Sequence, residues 1–183
     1  SALGSAEWIR FYGLLFGKEA LADSIFAEVE KNYNELKALA TSQPVKPSLV
    51  CELKSGSAWY VSGGRSTTGK LYADAGADYV FASYPNPGGV PLSFETVFDK
   101  AQDADVWLMK YNHPTDKTYK SLREDYAPYA NFKAFKEKNI YHCNTAHKKY
   151  YEDFPFHPDK VLKDLIKIFH PSLLPEYELK YFS

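Results

Sequence analysis

Ser57-Ala58-Trp59-Tyr60-Val61-Ser62-Gly63-Gly64-Arg65-Ser66 is the stretch on which the reading of this chain turns. An apolar, β-prone run meets two glycines, and a polar, helix-starting run from Arg65 to Leu71 follows. That order predicts strand, tight loop, helix. In an open α/β sheet such loops lie at the carboxyl ends of the strands, where ligands bind. Two aromatics before the turn and an arginine after it suit a flat or anionic small molecule. The same residues also fit a plainer role, with Trp59 and Tyr60 in the core and the glycines only turning the chain. The stretch by itself does not choose between the two.

The flanking sequence sets it in an alternation of strands and helices. Ser48 to Leu53 reads as a strand, joined to the Trp59 stretch by a turn at Lys54–Ser57. Thr67 to Ala75 reads as a helix with Gly76 as its C-cap. Asp78 to Ala82 is the next strand, and 83–91 an irregular loop rich in proline and glycine. Ser93 is a good N-cap for a helix to about Gln102, with Glu95 in its first turn, where a carboxylate favours the dipole. Strands follow at 105–109 and 139–143. Between them lie a polar loop at 111–115, a helix at 115–123, a loop at 125–131 and a short helix at 132–136. Residues 144–158 read as loop and 159–169 as an amphipathic helix; the tail docks through Leu173 and Leu174.

Before the alternation, residues 5–16 predict a helix apolar on nearly every side, which needs neighbours all round, ended by Gly17. Residues 18–40 form a second helical run of about 34 Å, and Thr41 to Pro47 is a linker. The whole predicts an α/β fold: a parallel sheet of about four strands with helices on both faces, preceded by a long helical segment. The boundary falls between 1–41 and 42–183. The loops at 54–66, 83–92, 111–115 and 144–152 then line one edge of the sheet.

Composition narrows the function. Of 183 residues, 22 are basic and 23 acidic, with no long run of one sign, so neither nucleic acid nor a membrane surface is indicated as partner. No apolar run approaches the roughly 20 residues of a membrane span. The chain opens on Ser1-Ala2-Leu3-Gly4, consistent with processing or a cloned boundary, so the lack of a leader here does not fix the compartment. Cys51 and Cys143 have no metal-ligand spacing and lie in apolar runs, which predicts buried free thiols. With 15 Tyr, 12 Phe and 3 Trp, the chain has aromatics for both a core and a binding surface.

Motifs for catalysis are incomplete. Gly64 to Lys70 matches most of a phosphate-binding loop, but Leu71 stands where magnesium needs a hydroxyl. His113, His142, His147, His157 and His170 show no metal-binding spacing. No nucleophile elbow is present, and Cys143 beside His142 or His147 is only a local adjacency. No catalytic or metal-ligating residue is assigned. A nucleotide-binding α/β enzyme built on the Gly64–Lys70 loop, and a non-catalytic module dimerising through its first helix, stand as alternatives.

Taken in order, several segments resemble the carboxyl-terminal lobe of class III periplasmic substrate-binding proteins, which serve ABC importers of ferric siderophores, haem and cobalamin. Ala6 to Lys18 is similar to the end of the helix joining the two lobes, and Trp59 to Ser66 to the glycine turn, followed by Ala73-Asp74-Ala75-Gly76-Ala77-Asp78-Tyr79. Pro91 to Val97 resembles the family's S-x-E-x-[VL] segment, Asp103 to Leu108 the next strand, and Leu162 to Pro175 the closing helix and tail. The resemblance covers nearly the whole chain but only the second half of a family member, so an amino-terminal lobe is expected beyond it. It implies one wall of a ligand cleft, with Trp59, Tyr60, Arg65, Tyr84 and Tyr111 as ligand contacts and Asn86 and His147 behind them. It implies an iron chelate, haem or corrinoid as ligand, and no intrinsic cofactor. Glu95 becomes a contact to the ABC permease subunits, and the location periplasmic or that of a cell-surface lipoprotein.

Overall fold

The computed structural model describes residues 1–183. The chain begins with two short helices, α1 (Ala2–Ala6) and α2 (Trp8–Leu15), and the long α3 (Glu19–Thr41). The segment expected as one helix is thus two, broken at Glu7, and Gly17, at φ +64°, ends the second. Strand β1 (Ser48–Cys51) follows the proline linker, then β2 (Lys54–Ser55), β3 (Ala58–Ser62), α4 (Thr67–Asp74), β4 (Asp78–Tyr79), β5 (Gly89–Leu92) and α5 (Phe94–Ala101). The second half holds β6 (Val106–Tyr111), α6 (Tyr119–Asp125), α7 (Lys133–Lys136), β7 (Ile140–Asn144), α8 (Tyr150–Asp153) and α9 (Pro158–Phe169), with 3-10 turns at Ala127–Asn131 and Pro171–Leu173.

Four strands form the expected parallel sheet, in the order β4-β1-β6-β7. Leu49 sits between Tyr79 and Val106, and Met109 opposite His142. The Trp59 stretch is not one of those strands. β3 lies in a second, antiparallel sheet of order β2-β3-β5, turning from β2 at Gly56, φ +60°. The reason is length: a parallel crossover needs a dozen or more residues, and the short gap from Cys51 to Ala58 permits only a hairpin. The loop expected over 83–91 likewise ends in β5, whose Pro91 pairs with Tyr60. Proline fits there because β5 is an edge strand with no ladder bond to donate on its outer side.

The core forms where the two sheets meet. Trp59 and Trp107 are both fully buried, with ring centroids 5.6 Å apart, and Tyr129 and Phe132 close around them. The two indoles donate to consecutive carbonyls at the end of β1: Trp59 Nε1 to Cys51 O at 2.9 Å, and Trp107 Nε1 to Glu52 O at 2.8 Å. On the other face of the parallel sheet lie α4, α9 and α3, joined by Tyr33 Oη donating to Asp74 at 2.6 Å. Tyr33 and Ala40 of α3 belong to the main core. α2 stands apart: only Gly13 is buried, against Ala22, while Trp8, Phe11, Leu14, Leu15 and Phe16 (72% exposed) face outward.

The tail docks through Tyr181 and Phe182, which are buried, more than through Leu173 and Leu174. The buried Asp164 of α9 accepts from the Tyr177 hydroxyl and from the amides of Lys180, Tyr181 and Phe182 at 2.6–3.0 Å. Ser183 then exchanges both backbone hydrogen bonds with His142, covering the outer edge of β7. No helix is long and apolar enough to cross a membrane.

This packing corrects one expectation: Trp59 belongs to the core. Trp59→Ala and Trp107→Ala are each expected to cost about 3–5 kcal/mol of stability, read from urea unfolding followed by circular dichroism. A loss below about 1 kcal/mol for Trp59→Ala would return that side chain to the surface.

Candidate functional site

The carboxyl ends of β4, β1, β6 and β7 form one edge, and the loops leaving them are tied together in two groups. In the first, the glycine turn is fastened to the loop after β4. Gly63 N donates to Gly88 O at 2.9 Å, and Gly64 N to Tyr84 O at 2.8 Å. A Cβ on Gly64 would lie 1.9 Å from Ala82 O, and one on Gly63 2.2 Å from Asn86 O, so only glycine permits this approach. Arg65, Tyr84 and Asn86 are thereby brought together. Arg65 is exposed without an ion-pair partner. Tyr84 is half-buried against Phe81, with the Lys100 ammonium 5.8 Å from its ring centroid.

The same bonds bear on the phosphate-loop reading. Ser66 caps α4: its Oγ accepts from Gly69 N at 2.9 Å and donates to Gly63 O at 2.6 Å. The amides of Gly64, Ser66, Gly69 and Lys70 are all engaged within the protein. A phosphate cradle needs such amides free, which argues against nucleotide binding here.

The second group joins the loops after β6 and β7, and its pin is Asn144, a residue the sequence reading passed over. Buried at the end of β7, it donates to His113 O at 2.8 Å and Asp116 Oδ1 at 3.0 Å, and accepts from the amides of His113 and Ala146 at 3.2 Å. Tyr111 and His147 lie in this group. The Tyr111 hydroxyl accepts from Lys117 N and shares a hydrogen bond with His142 Nδ1, both at 2.8 Å, while the two rings stack at 12°. Its hydroxyl is satisfied within the protein. His147 is exposed and donates through Nε2 to Pro114 O at 2.9 Å.

Tyr60 is 54% exposed on the outer face of the second sheet, the alternation having turned its neighbour Trp59 inward. Glu95 is exposed in the first turn of α5, whose cap Ser93 accepts from Thr96 N at 3.1 Å. Between the two loop groups, at the ends of the central strands, lies a pair also missed from sequence. Lys110 Nζ donates to Glu52 Oε1 at 2.6 Å. The one readable signal was a lysine closing an otherwise apolar strand.

Nothing favours covalent chemistry. Cys51 and Cys143 are buried free thiols. Burial pushes them up to about 12 and about 11, so both stay protonated at neutral pH. No group of three His, Cys, Asp or Glu side chains is arranged to hold a metal ion.

Burial holds His142 below its ordinary value of 6.5, with Asp116 opposing and Lys148 assisting. The unfolded chain therefore binds the proton more readily than the folded one, and stability is lost as pH falls through about 6.5. His142→Gln is expected to reduce the drop in melting temperature between about pH 7 and 5. An unchanged drop would show that His142 does not carry it.

The chain has relatives among known proteins in sequence and in fold. The profile of the Periplasmic binding protein family matches residues 2–146. An uncharacterized lipoprotein of Methanocaldococcus jannaschii is 28% identical over 183 residues, covering 98% of this chain and 42% of the relative. The TroA-like periplasmic binding protein FepB of Veillonella parvula has a similar fold, with TM-score 0.75 and 17% identity over 97% of this chain and 55% of that one. IsdE of S. aureus, solved with heme, gives TM-score 0.68 and 18% identity, covering 93% of this chain and 65% of that one. This chain thus spans less than two thirds of each of these proteins. Its fold is that of one α/β lobe of these TroA-like proteins, and the chain belongs to the periplasmic binding protein family.

Proposed function

We propose that this chain is the carboxyl-terminal lobe of a two-lobe binding protein that captures an iron chelate, haem or corrinoid and hands it to an ABC permease. The observation that carries this is the pair of fastened loop groups on one sheet edge, presenting Arg65 and Asn86 on one side and the Tyr111 ring and His147 on the other. Family membership supports a binding and transport role over a catalytic one. Tyr84 and Tyr111 offer ring faces to a macrocycle or chelate plane, Arg65 a bidentate grip on a carboxylate or phosphate, and Tyr60 an outer flank. Trp59 supports the wall from behind.

The relatives' greater length, together with the outward apolar face of α2, supports packing of that helix against a second lobe of the same polypeptide. Such a lobe would close the site, since one wall leaves a ligand half in solvent. A periplasmic or surface-anchored location follows from the same reading. Two of the curated relatives carry the name lipoprotein.

Ligand capture is tested by tryptophan fluorescence of the full polypeptide titrated with haem, cyanocobalamin and ferrioxamine B. Saturable binding of one of them at micromolar or lower concentration is expected, weakened about tenfold or more by Arg65→Ala or Tyr111→Ala. No response to any of the three removes the proposal. Glu95→Ala is expected to leave that affinity unchanged and to lower uptake in reconstituted vesicles holding the cognate permease. Unaltered uptake would take Glu95 out of the docking surface.

A further inference from the structure

Glu52 is one of two non-glycine residues with a left-handed backbone, at φ 68°. Side chains rarely adopt that conformation, and such outliers concentrate at binding sites. Here it is held on both sides: Glu52 N donates to Leu108 O at 2.8 Å, and its carbonyl accepts the Trp107 indole. The carboxylate lies at the end of β1 in the middle of the cleft edge, paired with Lys110 of β6.

The two charges are not equally available. Lys110 is enclosed, with 11% of its side chain exposed. Its donors are directed to Glu52 Oε1 at 2.6 Å and the Tyr72 hydroxyl at 3.4 Å, with the Tyr150 ring 5.7 Å away. Glu52 is 22% exposed, and only Oε1 is engaged; Oε2 accepts no hydrogen bond from the protein. Lysine therefore fixes the carboxylate through Oε1, and the free oxygen is the polar atom of the pair open to a ligand. A buried ammonium is costly to retain where an apolar pair would pack as well, which points to a use for it.

We propose that Glu52, positioned by Lys110, selects the ligand: Oε2 takes a hydrogen bond from an N–H, O–H or ammonium group, so the wall favours donor-bearing chelates over those that present carboxylates to it. Arg65, at the outer rim, answers a different part of the ligand. This inference rests on the binding reading above and deepens it.

The test compares ferrioxamine B, an amine-bearing ferric trihydroxamate, and cyanocobalamin, rich in amides, with haem, whose polar groups are carboxylates. Fluorescence titration of the full chain is expected to show at least one donor-bearing probe bound about tenfold or more tighter than haem. Glu52→Gln is expected to weaken that probe about tenfold and leave haem unchanged. Because a lone buried Lys110 is itself destabilising, the double variant Glu52→Leu with Lys110→Met, which removes both charges, is measured beside it, with thermal melts of each. Wild type preferring haem, or a folded double variant binding the donor-bearing probe as wild type does, overturns this inference and leaves the binding reading in place. No binding of any probe by wild type overturns the binding reading and this inference with it.

Discussion

Two indoles fastened to successive carbonyls hold this fold in shape. Trp59 comes from the small antiparallel sheet and Trp107 from the parallel one, yet both donate to the backbone that leaves β1, at Cys51 and Glu52. The bonds satisfy two carbonyls at a point where the chain departs from its sheet and would otherwise bury them without partners. They also fix the angle between the sheets, because the stacked rings fill the space between them. The left-handed turn at Glu52, the hairpin behind it and the placing of the glycine turn all descend from this joint.

Much of the architecture was legible before any coordinates. Apolar runs punctuated by glycine, proline and capping residues mark the parallel strands and the helices after them, and Ser93 and Gly76 act as the caps their types suggest. What eluded the sequence has physical causes. A β-prone run does not say which sheet it joins, although the short link between Cys51 and Ala58 would have ruled out the parallel one. Pro91 hid β5, since proline signals a break unless the strand is known to lie on an edge. The direction of Trp59 against Tyr60 is set by which face of β3 meets the parallel sheet, and no local pattern carries that.

The candidate site divides the same way. Arg65, Tyr84, Asn86, Tyr111 and His147 are readable as candidates because aromatic and polar residues gather in loops after strands. Asn144, Glu52 and Lys110 were not, because their roles depend on partners distant in sequence: Asn144 on His113 and Asp116, Glu52 on Lys110. The loops supply the surface of the candidate site. The residues beneath decide where that surface sits and what charge it shows.

The glycine turn has a thermodynamic consequence. Because Gly63 and Gly64 are bonded to Gly88 and Tyr84, and Asn144 fastens the opposite loops, the candidate wall is positioned by the folded chain itself. Ordering entropy on this side is spent during folding, not on association. On the two-lobe function proposed above, differences in residence time among chelates arise from how the other half moves.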